Sequence, residues 1–206
     1  MWSKLILAAT ALAVAADGAA KPAFLQACED DGDAGCAAKL AAAAAGDDVA
    51  TVDVTKGNLA CTYQKLGRQE KALQIERDVY SGRLKLNGEE HELTLTAANN
   101  YASSLTDLQR FEEAKALLRK TIPVARRVLG ECDKLTLKMR WSYAMALYTD
   151  TGATLDDLRE ALTTLEETAR TARRVLGGAH PDTTAIEGAL RNARAALGAR
   201  EPPGNG

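Results

Sequence analysis

Two histidines, four cysteines and a few carboxylate pairs are the residues of this sequence with reactive side chains, so their surroundings decide what chemistry is open to it. His91 stands before Glu92 and His180 before Pro181, in turn-like segments where a polar residue opens the next helix. Neither has a Ser or Cys beside it in one motif, and no Gly-rich phosphate loop or nucleophile elbow is present. Cys28, Cys36, Cys61 and Cys132 are scattered and form no Cys-x-x-Cys pair. They would suit two disulfides in an exported chain and otherwise read as free, mostly buried thiols. With only two His, zinc would have to gather ligands from distant segments, so no metal and no cofactor is expected. The run Glu29-Asp30-Asp31-Gly32-Asp33 opens like a calcium loop but lacks the later ligands and the closing Glu, which leaves a solvated turn. Glu112-Glu113 and Asp156-Asp157 fall where helices begin, and Arg126-Arg127 and Arg173-Arg174 where they end, as the helix dipole favours. A net charge of −2 provides no basic face for nucleic acid. No residue constellation recommends an enzyme.

The elements that carry these residues follow from composition and repetition. Hydrophobic residues make up 46% of the 206 and lean on Ala and Leu, while aromatics are only 4%, so an all-α fold is expected. Gly46, Gly88 and Gly130 stand 42 residues apart, and so do Leu59, Tyr101 and Tyr143, each followed by Ala at Ala60, Ala102 and Ala144. The series reaches Gly177 after 47 residues, and Ala72, Ala114 and Ala161 place the five extra residues between Ala144 and Ala161, at Thr149 to Ala153. Apolar residues recur at three and four residues through Phe111, Ala114, Leu118, Ile122, Ala125 and Leu129, and again from Leu158 to Leu176. These are long second helices. Shorter first helices are expected over Val52 to Lys65, Leu93 to Thr106 and Leu135 to Tyr148, with turns at Gly67, at Asp107 to Arg110, and at Gly88, Gly130 and Gly177.

A lone helix pair cannot cover its own apolar face, so the pairs must stack and the ends need closing helices. Asp182 to Leu197 reads as one, with Ile186, Ala189, Leu190, Ala193 and Leu197 inward and Arg191, Asn192 and Arg194 facing away. Pro123 predicts a kink, not a break, in the middle second helix. Residues 17–45 form an Ala/Asp-rich segment with a partial repeat, 46–197 the repeat domain, and 198–206 a disordered tail. Two readings stand for residues 1–16. The positive start Met1 to Lys4, the apolar run Leu5 to Ala15 and the small residues Ala13-Val14-Ala15 have the layout of a secretory signal peptide, and an Ala-rich helix packed on the first repeat fits equally. At eleven residues that run is too short to span a bilayer.

Asn58-Leu59-Ala60, Tyr63, Leu66-Gly67-Arg68 and Glu70-Lys71-Ala72-Leu73, together with Leu176 to Thr183, resemble the kinesin light chain type of tetratricopeptide repeat (TPR), whose units are about 42 residues long. Asn before the marker is present at Asn58 and Asn100 but is Ser142 in the third unit, and the His-Pro junction is intact only at His180-Pro181. The resemblance implies a right-handed superhelical solenoid of about three antiparallel helix pairs plus a C-terminal capping helix. It also implies a non-catalytic adaptor that holds a peptide or partner surface in a concave groove lined by the first helices. Carried over, the groove residues are Asn58, Gln64, Asn99, Asn100, Ser103, Lys138, Trp141, Met145 and Tyr148. Trp141, Met145 and Tyr148 read also, and rather better, as core between neighbouring units, since a three-unit array has a small concave surface and large residues are easily buried. The partner is then a protein or peptide, with no nucleic acid and no stable membrane insertion, and the resemblance favours a cytoplasmic setting. The rival reading is an exported or lumenal helical repeat protein with a structural role.

Overall fold

The computed structural model describes residues 56–57, 59–64 and 66–200. The signal-peptide or N-terminal-helix reading, the 17–45 segment, Cys28, Cys36, Asn58 and the last six residues lie outside them. The chain divides into two compact units, residues 1–82 and 83–206.

In the first unit, residues 59–64 are helical, and α1 (Gln69–Asn87) begins after a turn at Gly67. Leu59, Ala60, Tyr63 and Ala72 form its buried cluster, with Ile75 packed against them. The turn closes with Arg68 N–H donating to the Tyr63 carbonyl and Gly67 N–H to that of Gln64, while Gly67 sits at φ 73°. This is the left-handed helix ending that glycine adopts without a Cβ penalty.

The second unit holds α2 (Glu92–Asp107), α3 (Phe111–Val128), α4 (Lys134–Tyr148), α5 (Leu155–Leu176) and α6 (Pro181–Arg200). Each helix packs on the next, and the first helices of successive pairs also meet, α2 on α4 and α4 on α6. The fold is all-α and TPR-like. All six register alanines (60, 102, 144, 72, 114 and 161) are 0% exposed, which explains why the repeat keeps them: helix backbones close over positions where any larger side chain would hold them apart. In the second unit Leu95, Leu118, Leu137, Leu147, Leu165 and Ile186 share one core with Ala102, Ala144 and Ala161.

The helix openings follow the same register. His91 Nδ1 accepts from Leu93 N–H, Asp133 Oδ1 from Leu135 and Thr136 N–H, and His180 Nδ1 from Asp182 N–H. His91, Asp133 and His180 are therefore one structural position, an acceptor for amides that have no partner in the first turn. After the inserted residues, α5 opens with a reciprocal box in which Thr154 and Asp157 each accept the other's backbone N–H. The hydrogen bonds from Thr154 hold the Asp157 carboxyl below the usual carboxylate range. The insertion is held from both sides. Lys115, buried on α3, bonds Asp150 at 3.2 Å, and the Arg200 guanidinium donates to the carbonyls of Thr151 and Ala153.

That last contact corrects the expected tail. The closing helix runs to Arg200, three residues past Leu197, because Arg200 anchors its final turn on the inserted loop. Pro123 lies inside α3 and does not end it. The helix forgoes the bond that residue 123 would give to the Arg119 carbonyl, and Leu118 and Ala125 are buried on either side.

Gln109 stands 42 residues after Gly67 and repeats its turn, with Arg110 N–H on the Leu105 carbonyl and Gln109 N–H on that of Thr106. It does so at φ 60°, a non-glycine residue in the left-handed region. Gln109→Gly is expected to raise the unfolding free energy by about 0.5–1 kcal/mol in urea titrations, since relief of the Cβ clash exceeds the added chain entropy.

Thr94, Thr136 and Thr183 are another register position, buried in all three helices. Thr94 Oγ1 donates to the Arg83 carbonyl at 3.3 Å, whereas the hydroxyls of Thr136 and Thr183 are buried with no partner among the described residues. Thr136→Val and Thr183→Val should each be neutral or stabilising by up to about 1 kcal/mol, and Thr94→Val destabilising, in the same titrations.

Candidate functional site

The wall that could meet a partner is made by α2, α4 and α6, whose mutual packing places corresponding residues of successive first helices side by side. Seven of the expected groove residues lie in the second unit. Asn100 is exposed, and Asn99, Ser103, Lys138, Met145 and Tyr148 are half-buried. Trp141 is 8% exposed, belongs to the core cluster, and has an indole N–H with no acceptor among the described residues. Gln64 is half-buried in the first unit, and Asn58 lies outside the described residues.

Several of these side chains are engaged between neighbouring helices. Ser142 Oγ donates to Asn99 Oδ1 at 3.0 Å, joining α4 to α2. Lys138 Nζ lies 3.8 Å from Asp182 Oδ2, so α6 already supplies an acidic partner for it. The Tyr148 hydroxyl donates to Met145 Sδ at 2.8 Å, and burial raises its pKa while the Asn192 amide on α6 opposes that rise. Asn192 thus sits half-buried beside Tyr148 and does not face away as expected. Its register shows why: Asn192 lies 47 residues after Met145, which lies 42 after Ser103, so all three occupy one place on the wall. Asn100, by contrast, makes no side-chain hydrogen bond among the described residues.

Behind the wall, Tyr143 ties three helices together. Its hydroxyl donates to Glu160 Oε1 of α5 at 2.6 Å and accepts from Arg119 Nε of α3 at 2.7 Å. Burial, reinforced by Glu160, pushes its pKa up to about 12, so it remains a neutral structural phenol. His91 and His180 are committed to capping, and no group of three or more His, Cys, Asp or Glu among the described residues could hold a metal. None of the described helices is long and apolar enough to cross a membrane.

Comparison with known proteins agrees with this geometry. The tetratricopeptide repeat model matches residues 54–92, 94–131 and 153–182, together just over half of the chain. The crystal structure of nearly identical TPR-like repeats assigned to a kinesin light chain of Podosopora anserina superposes with a TM-score of 0.64 at 20% identity, covering 82% of this chain and 79% of that one. A single-substitution variant of the same protein gives 0.66 with the same identity and coverage. BtubC (BKLC) from P. vanneervenii gives 0.53 at 16% identity, covering 85% and 77%. No curated protein sequence matches the chain.

Proposed function

Because this chain belongs to the tetratricopeptide repeat family, whose helix pairs make a protein-interaction scaffold, we propose that its first-helix wall holds an extended peptide segment of a protein partner. The observation that carries the reading is Asn100, an exposed amide in mid-helix with both its donors and its acceptor unspent, flanked by Asn99 and Ser103. An amide of this kind matches the alternating N–H and C=O of an extended backbone and asks nothing of its side chains. Met145 and Tyr148 add adaptable and rigid apolar contact beside it. Lys138 is shared with Asp182 and contributes a partly neutralised charge, so an acidic side chain of the partner would have to compete for it. The role is that of an adaptor, with no catalytic step.

Selection of a displayed random-peptide library on the protein tests this. Selected peptides should lose about tenfold in affinity on Asn100→Ala, the worth of one or two hydrogen bonds, with unchanged thermal unfolding. A library that yields no binder, or binders indifferent to Asn100→Ala, Ser103→Ala and Met145→Ala, would remove the proposal.

A further inference from the structure

A second cleft opens away from the wall, lined by Glu131, Arg140, Glu167, Arg170, Thr171 and Arg174. Its charges do not cancel. Arg140, whose side chain is only 9% exposed, takes Glu167 at 2.6 Å and Glu131 at 3.6 Å, and Glu131 is also bonded by Arg126. Arg170 has no ion pair among the described residues, and Arg174 reaches only the Cys132 sulfur, at 3.6 Å. Three guanidinium groups line the cleft with two carboxylates, and Arg126, outside the lining, takes up part of one of those carboxylates. Arg170 and Arg174 lie one turn apart on α5, where like charges repel. The nearby C-terminus of α5 offsets about half a charge, which leaves the cleft positive.

The repeat register shows that this charge is particular to the third unit. There Arg140 replaces Ala98, Cys132 replaces Glu90, and Glu167, Arg170 and Thr171 replace Lys120, Pro123 and Val124, while Arg174 corresponds to Arg127. In the preceding unit Arg127 is paired with Glu90 at 2.7 Å. Putting Cys132 in that carboxylate's place leaves Arg174 without its counter-charge. The register alanines 102, 144, 114 and 161 stay constant between the units, yet four of the five substitutions line one cleft and the fifth, Cys132, contacts its Arg174; neither packing nor capping requires the exposed Arg170 there.

We propose that this cleft binds a phosphate monoester, presented as a phosphorylated side chain of the protein partner. A phosphate monoester at pH 7 carries about −1.5 to −2, close to the excess left by Arg170 and Arg174 after the helix end is counted, whereas a single carboxylate carries only about −1. Arg170 and Arg174, spaced by one turn, offer paired N–H forks to its oxygens, and Thr171 lines the same cleft. The source of the phosphate rests on the protein-binding reading above. Cleft and wall are probed with different variants, so either can fail while the other stands.

The test uses the full chain at pH 7 and constant ionic strength. Arginine Nε–H resonances are followed while adding a neutral Gly/Ala pentapeptide with one phosphoserine, its serine and glutamate counterparts, and inorganic phosphate. Saturable shifts at Arg170 and Arg174 are expected with the phosphopeptide, and about tenfold weaker binding in Arg170→Ala. Cys132→Glu restores the carboxylate that the preceding unit has at Glu90, and should weaken binding to a similar degree by occupying Arg174. Both positions are exposed, so circular dichroism should show both variants folded. Equal binding of the glutamate peptide would overturn the phosphate assignment, and inorganic phosphate binding as tightly as the phosphopeptide would overturn the peptide source. Shifts that avoid Arg170 and Arg174, or that survive both substitutions, would overturn the site.

Discussion

Trp141→Ala is expected to lower the unfolding free energy by about 3–5 kcal/mol, read from urea titrations by circular dichroism. Removing an indole that buries about 200 Å² at about 25 cal/mol per Å² forfeits roughly 5 kcal/mol before any cavity is counted. Against this, the indole N–H is buried without a partner, and deleting it returns about 1–3 kcal/mol of desolvation cost. The cavity left among α4 and its neighbours adds to the loss, because the 0% exposed alanines around it cannot move in to fill it. Trp141→Phe keeps most of the ring and removes the unpartnered N–H, so it should cost less than about 1.5 kcal/mol. The pair matters for function as well as stability. Loss of a partner with Trp141→Ala would report a collapsed wall, whereas loss with Trp141→Phe in a folded protein would report ring contact. A Trp141→Ala variant as stable as the parent would show that the ring is not core.

The difference between Trp141 and Asn99 also shows where sequence reading reached its limit. The two residues stand 42 apart at one register position, and the period that located them speaks of place in the helix and not of depth. Depth depends on the next first helix. Position 188, the counterpart on α6, is glycine. Elements were legible because each rests on a local rule: first helices expected at Leu93 to Thr106 and Leu135 to Tyr148 are found at Glu92–Asp107 and Lys134–Tyr148. The glycine-ended turns were legible for the same reason, with Gly88, Gly130 and Gly177 all at positive φ. What could not be read was pairing across helices: Ser142 with Asn99, Lys138 with Asp182, Arg200 with the inserted loop. Each joins residues at least 43 apart, and no period encodes which of several polar side chains will be in reach.

Ala144→Leu should cost about 3 kcal/mol, the upper end for overpacking, because the residue has no surface through which three extra carbons can escape. Ala144 lies on α4 in the cluster that α3, α5 and α6 also enter. A longer side chain there must push a neighbouring helix outward, and since successive pairs are held by nearest-neighbour contacts, the displacement passes to the α4–α6 packing and hence to the wall. Ala116→Leu, at an exposed position of α3, is the matched control and should change stability by less than about 0.5 kcal/mol. The comparison isolates the register itself. Both changes add the same atoms to an alanine on one of two adjacent helices, and only one of the two alanines belongs to the 42-residue series. Equal effects at the two sites, in urea titrations of the full chain, would mean that the alanine series is compositional and that close helix approach is not what the repeat preserves. A large loss confined to Ala144 would mean that the spacing between helices, and with it the reach from Asn100 to Met145 along the wall, is fixed by residues too small to contact any partner.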